Sequence, residues 1–183
     1  MPLYFAYGAN MDIAAMATRC PGAKPLGLAR LPRHRFIITA DGYASVVRDP
    51  RTEVHGVLWE LALSHVRVLD KFEEVDRGLY AKITQPVIAT SGPRRALVYV
   101  GASSSIGVPR TGYLESVIAS AESWVLPGAY VQQMKRFLRS GPGLNVAAMP
   151  LAGPDPKVQP RAAAPSSTVG AAPRASDAWG WEP

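Results

Sequence analysis

A break in composition near Gly141-Pro142-Gly143 sets the size of what this chain can fold. From Pro150 to Pro183 there are seven prolines and eight alanines in 34 residues, with neither a helical nor an alternating apolar period. Such a segment cannot bury enough apolar surface to offset the entropy of ordering it. The sequence therefore divides into one globular domain over 1–142 and a Pro/Ala-rich tail over 143–183, which is expected to be disordered. Trp179 and Trp181 stand out in that tail, but two tryptophans without a periodic context specify nothing.

The tail's charges cancel, Lys157, Arg161 and Arg174 against Asp155, Asp177 and Glu182, so the whole net charge of +6 falls on residues 1–149. That surplus is scattered. Its densest groups are Arg30, Arg33, His34 and Arg35, then Arg94 and Arg95, then Lys135, Arg136 and Arg139, with no long run and no aromatic–basic interleaving. The pattern argues for a solvated basic surface and against nucleic acid as a partner. No stretch approaches 18 consecutive apolar residues, and the start Met-Pro-Leu-Tyr-Phe-Ala is unlike a secretory leader, so the expectation is a soluble cytoplasmic protein without a membrane partner.

The sequence also excludes several chemistries. Cys20 is the only cysteine, which rules out an intrachain disulfide and a multi-thiolate zinc site. His34, His55 and His65 lie at no metal-ligating spacing, so no metal is expected. Walker-type loops, Gly-x-Ser-x-Gly elbows and Gly-x-Gly-x-x-Gly turns are absent, which removes nucleotide binding and triad hydrolysis.

Strands outnumber helices in the folded part. Leu3 to Ala6 is a short apolar strand ending in the turn Tyr7-Gly8-Ala9-Asn10, where Gly and Asn permit positive φ. Arg35 to Thr39 and Ala44 to Val47 flank Asp41-Gly42 as a hairpin, Val54 to Leu61 is a longer strand, and Tyr80 to Ile88 pairs with Ala96 to Val100. Helices are expected from Ser64 to about Glu74, from Thr111 to Trp124, and from Pro127 to before Gly141. On the second of these, Tyr113, Val117, Ala121 and Trp124 form a core-facing stripe.

One carboxylate is out of place. At 100° per residue Glu73 continues the apolar face of Val66 and Leu69, whereas Glu74 turns away from it. Burial makes an ionised carboxyl costly and pushes its pKa upward, toward the range of a general acid or base near neutral pH. The same geometry also allows Glu73 simply to end the helix, paired to Arg77. The turn at Tyr7 to Asn10 exposes consecutive backbone N–H groups with no bulky side chain at Gly8 or Ala9, and such a turn can hold a small carboxylate.

Together the two sites resemble the gamma-glutamylcyclotransferase-like (AIG2-like) family. Leu3-Tyr4-Phe5-Ala6-Tyr7-Gly8-Ala9-Asn10-Met11 resembles its Tyr-Gly-Ser-Asn signature. Leu69-Asp70-Lys71-Phe72-Glu73-Glu74-Val75, followed by Gly78-Leu79-Tyr80, resembles its Leu-Asp-x-x-Glu-Gly-Val segment, with the family's catalytic glutamate falling on Glu73. Ala44 to Pro50 and Glu53 to Leu61 look like its central hairpin, and Pro109 to Tyr113 with Leu126, Pro127 and Tyr130 like its Pro-Ser-x-x-Tyr and Gly-Leu-Pro stretches.

The resemblance implies a mixed α/β (α+β) fold, a small barrel-like sheet flanked by helices with the pocket at its mouth. It implies an enzyme acting on a small γ-glutamyl substrate, whose α-amine attacks its own γ-carbonyl to give 5-oxoproline and a free amine. Glu73 is then the general acid/base, Tyr4, Phe5, Ala6, Tyr7, Gly8, Ala9 and Asn10 line the substrate turn, and Tyr113 closes the pocket with its hydroxyl. No cofactor is needed, because the nucleophile belongs to the substrate. Ala9 stands where the family has serine and Glu74 where it has glycine. Leaving-group specificity is expected in loops such as Gly101 to Arg110, and free glutathione ranks low among the substrates. The alternative is a binding module that keeps the fold without turnover.

Overall fold

The computed structural model describes residues 1–139. The predicted tail, with Trp179 and Trp181, lies outside them. Along the chain run β1 (Leu3–Ala6), α1 (Ile13–Arg19), β2 (Lys24–Ile38), β3 (Ala44–Glu60), α2 (Leu63–Phe72), β4 (Tyr80–Ala89), β5 (Gly92–Gly101), α3 (Tyr113–Ser123) and α4 (Gly128–Arg139). The strands close into a barrel in the order β1-β3-β2-β4-β5. All neighbours are antiparallel except β1 and β5, which run parallel and meet where Tyr4 lies opposite Leu97. This is the expected mixed α/β barrel.

The hairpin at Asp41-Gly42 is present, closed by Gly42 N–H donating to the Thr39 carbonyl at 2.9 Å, but its arms are far longer than the apolar runs beside it. β2 begins at Lys24 and passes through Pro25 and Pro32, where the register shifts by bulges that accommodate residues without a backbone donor. Each bulge resets which side chains face inward, so no single alternation runs along the strand. Opposite it, β3 continues through the charged stretch Arg48 to Glu53, supported by Arg30–Glu53 at 2.7 Å and Arg35–Asp49 at 3.7 Å. The basic group at Arg30 to Arg35 is thus largely paired within the sheet, and His34 is buried with Nδ1 2.9 Å from the Pro32 carbonyl.

The core fills the barrel and the layer beneath α3 and α4, with Phe5, Leu31, Phe36, Val57, Trp59 and Leu114 almost fully excluded from solvent. The α3 stripe faces inward as read: Val117 and Ala121 are fully buried and Tyr113 and Trp124 partly so, while Leu114 and Ile118 widen it. Trp124 Nε1 donates to the Met11 carbonyl at 2.8 Å and so ties α3 to the turn after β1.

Helix α2 starts one residue earlier than Ser64, and its N-cap is Ala62. The His65 ring supplies the capping, its Nδ1 accepting from Ala62 N–H at 3.2 Å, so this histidine serves the end of α2 remote from Glu73. Helix α1 has no counterpart in the sequence reading. It is seven residues long and buries only Met16, so it carries no apolar stripe; its one signal is Asp12, which accepts from Ala15 N–H at 2.6 Å as an N-cap. Among the described residues no helix is long and apolar enough to cross a membrane.

Candidate active site

One mouth of the barrel opens into a cavity of about 290 Å³. The end of β1, the start of β3, the C-terminus of α2, the start of β4 and the first residue of α3 converge on it, which places Tyr4, Ala44, Glu73, Tyr80 and Tyr113 on one wall system. Glu73 is the C-cap of α2 and donates its N–H to the Leu69 carbonyl at 2.8 Å. The chain then reverses through Glu74, which takes the left-handed conformation (φ 50°, ψ 45°) usual after a helix C-cap and usually given to glycine. That reversal ends α2 with Glu73 still on the side of buried Leu69. Glu74, not Glu73, pairs with Arg77, at 2.8 Å.

Glu73 is partly buried, and its Oε1 accepts from Asn10 Nδ2 at 2.9 Å. Burial raises its pKa to about 7, against the pull of the Arg19 guanidinium and the Asn10 hydrogen bond toward the ionised form. The carboxyl is therefore poised to hold and release a proton near neutrality. Asn10 is 3% exposed; its Nδ2 also reaches Tyr4 Oη at 3.0 Å, and its Oδ1 accepts from Arg19 at 2.8 Å.

Tyr113 lies beside the turn. Its hydroxyl accepts from Ala44 N–H at 3.2 Å, and burial raises its pKa to about 12, so it stays protonated. Tyr80 donates to the carbonyl of the same residue, Ala44, at 2.8 Å. Tyr99 donates to Asp70 Oδ1 at 2.7 Å, and Lys82 donates to Asp70 Oδ2 at 2.6 Å. Burial holds the phenols of Tyr4, Tyr7, Tyr80 and Tyr99 in their protonated form.

Of the turn residues, Tyr4, Tyr7, Gly8, Ala9 and Asn10 line the cavity, but Phe5 and Ala6 do not. Both are fully buried in β1, paired with Leu58 and Val57 of β3, so they form the floor beneath the turn. The turn itself needs no positive φ: Gly8 has φ −123° and Ala9–Met11 form one 3-10 turn. What Gly8 provides is clearance, because a Cβ there would sit 3.3 Å from Tyr113 Oη and 3.5 Å from Ala44 Cβ. The loop from Gly101 to Arg110 is also corrected: none of its residues lines the cavity. Ile106 bridges to Thr39, and a Cβ on Gly107 would fall 2.5 Å from the Thr39 carbonyl oxygen, so the loop is pinned against the hairpin tip. Its contribution is indirect, through Arg110 stacked 4.6 Å over the ring of Tyr43, which does line the cavity. The outer wall comes instead from Tyr43, Phe72, Glu74, Leu79 and Tyr80.

Nothing in the sequence pattern marks Arg19, Tyr43 or Tyr99 as neighbours of this cavity. Cys20 is fully buried and burial raises its thiol pKa, the profile of an inert thiol. No cluster of three or more His, Cys, Asp or Glu able to hold a metal occurs among the described residues.

The site is thus the mouth of a closed five-stranded barrel, where the half-buried Glu73 carboxyl is hydrogen-bonded to the turn after the first strand. The profile of the AIG2-like family matches residues 53–134. The gamma-glutamylcyclotransferase of Homo sapiens is 27% identical over 144 residues, which covers 73% of this chain and 77% of that protein. The Bos taurus gamma-glutamylcyclotransferase is 33% identical over 100 residues, covering 49% and 53%. A solved structure described as a gamma-glutamyl cyclotransferase superposes with a TM-score of 0.68 at 26% identity, covering 73% of this chain and 86% of that one. Over these spans the chain is similar to the AIG2-like, gamma-glutamylcyclotransferase-like family.

Proposed function

We propose that this chain is a γ-glutamyl cyclotransferase that converts a small γ-glutamyl amine or γ-glutamyl amino acid to 5-oxoproline and the free amine. The observation that carries this reading is Glu73: a single carboxyl with a pKa raised to about 7, on the wall of a cavity that also contains the Gly8–Asn10 turn. The relatives' names support the reaction class.

The substrate supplies its own nucleophile, so the protein's work is to fold the γ-glutamyl group into a near-attack conformer and to handle protons. The backbone N–H groups of the turn hold the α-carboxylate, and Tyr113 borders the same space. Glu73, ionised, takes a proton from the α-ammonium. The amine nitrogen then bonds to the γ-carbonyl carbon, and Glu73 returns the proton to the leaving nitrogen as the original amide bond breaks. The attacking nitrogen starts with three hydrogens and keeps one in the lactam. The two it loses end on the leaving nitrogen, which departs as an ammonium ion, and Glu73 finishes in its starting state. Ala9 carries no hydroxyl, so the turn binds through backbone donors alone. The enzyme requires neither metal nor organic cofactor for these steps.

The test is 5-oxoproline release from a panel of γ-glutamyl amines, γ-glutamyl dipeptides and glutathione, comparing the parent chain with Glu73→Gln. Release by the parent that disappears in Glu73→Gln is the expected result. Absence of release from every panel member by folded parent protein overturns the reading and leaves a ligand-binding module.

A further inference from the structure

Asn10 stands between the candidate acid/base and a cation that sequence reading did not find. A carboxamide has two ends, a donor and an acceptor, and nothing in its shape decides which end faces Glu73. Arg19 decides it. A guanidinium is donor-only, so the atom 2.8 Å from Arg19 must be the Asn10 oxygen. The Asn10 NH2 is thereby turned toward Glu73 Oε1 at 2.9 Å and Tyr4 Oη at 3.0 Å, which uses both of its hydrogens. Two consequences follow from counting partners. Glu73 Oε2 has no hydrogen-bond partner among the described residues, and the Tyr4 hydroxyl, already accepting from Asn10, keeps its proton free for another acceptor.

Arg19 is itself held in place. It lies in the last turn of α1, and its guanidinium carbon sits 3.9 Å from the centroid of the Phe72 ring, immediately before Glu73. One side chain therefore stacks on the residue that precedes the carboxylate and bonds the amide that orients it.

We propose that Arg19 is the positioning residue of this site: its guanidinium fixes the orientation of the Asn10 carboxamide, which pins one oxygen of Glu73 and leaves the other free for the substrate's ammonium. The assignment goes beyond the cyclotransferase reading and rests on it only for its kinetic arm. The groups facing Glu73 from the surrounding elements are Tyr4 and Tyr7 at β1, Tyr80 on β4, Tyr99 on β5 and Tyr113 on α3, all protonated, together with Asn10 and Arg19. The neighbouring carboxylate, Glu74, is engaged by Arg77. Arg19 is the one positive charge that acts on the Glu73 carboxylate from this set.

The experiment has one arm that needs no turnover. The difference in unfolding temperature between a chain and its Glu73→Gln counterpart, followed against pH, has a midpoint set by protonation of Glu73 in the folded protein. Arg19→Gln is expected to move that midpoint up by about one pH unit, because a nearby opposite charge is lost. In the kinetic arm, the rising limb of kcat/KM moves up with it. Arg19→Lys keeps the charge but loses the planar group that stacks on Phe72 and so aims the bond to Asn10, and is expected to leave the midpoint near the parent's while kcat falls about tenfold at little change in KM, the mark of misplaced reacting groups. An unmoved midpoint in Arg19→Gln overturns the proposal, and so does a parent-like kcat in Arg19→Lys. The second result decides alone if Arg19→Gln does not fold. If the parent releases no 5-oxoproline at all, the cyclotransferase reading falls while the thermal arm still decides the role of Arg19.

Discussion

Asn10 and Glu73, 63 residues apart in the chain, are joined by a 2.9 Å hydrogen bond from the Asn10 amide nitrogen to one carboxyl oxygen. That bond links the turn after β1 to the C-terminus of α2, and it makes the protonation state of Glu73 legible in the stability of the whole domain.

Glu73 should cost stability at high pH. Its folded pKa of about 7 lies above the ordinary value of 4.5, so between those limits the folded chain binds more protons than the unfolded one. Stability is then fully present below the lower value and is lost as pH rises toward the upper, by on the order of 3 kcal/mol for this group. Glu73→Gln removes that loss while keeping an oxygen for Asn10. Its unfolding temperature should exceed the parent's by several degrees at pH 8 and converge with it near pH 4.

The kinetic counterpart has the same midpoint. Under the proposed mechanism the ionised form of Glu73 accepts the substrate's proton, so kcat/KM should rise with pH through about 7 and level off above it, until the substrate's ammonium itself titrates. A profile flat from pH 5.5 to 8 would show that another group handles the proton.

Glu74 occupies a left-handed conformation at φ 50°. A side chain there costs roughly 1 kcal/mol, and the ion pair to exposed Arg77 returns little of it. Glu74→Gly is expected to stabilise the domain by about 1 kcal/mol in denaturant unfolding without moving the pH midpoint of Glu73. A destabilisation would mean that the Glu74 side chain contributes packing at the cavity rim.

Tyr80 and Tyr113 grip the two polar groups of one residue, the carbonyl and the N–H of Ala44. Each change to phenylalanine should cost about 1 kcal/mol and lower kcat/KM. Because both act through Ala44, the double variant should lose measurably less or more than the sum, and a double-mutant cycle checks this. Strict additivity would separate the two contacts.

Much of this site can be read along the chain and part of it cannot. The inward turn of Glu73 is legible because Val66 and Leu69 mark the helix face that it continues, even though it stands at the cap just beyond the last helical residue. The strand Leu3–Ala6 and the stripe on α3 are legible for the same reason, one unbroken period each. The N-terminal half of β2 is hidden because its bulges at Pro25 and Pro32 interrupt the alternation. Helix α1 is hidden because a seven-residue helix that buries one side chain has no period to detect, and Arg19 goes unseen with it. Phe5 and Ala6 share the Tyr4–Asn10 segment along the chain, but their pairing to β3 puts them beneath the turn. Tyr43 and Tyr99 reach the cavity only because the barrel closes, a fact of pairing that no local window contains.

The closure is uneven. Four residue pairs join β1 to β3, whereas a single pair, Tyr4 with Leu97, joins β1 to β5. A cylinder stitched this way has a seam, and local opening follows the line with the fewest backbone bonds to break. The turn that holds Asn10 hangs from the strand beside that seam. Amide hydrogens along β1 should therefore exchange with solvent sooner on the β5 side than on the β3 side, and the cavity wall that carries Asn10 is also the one that parts at the lowest cost.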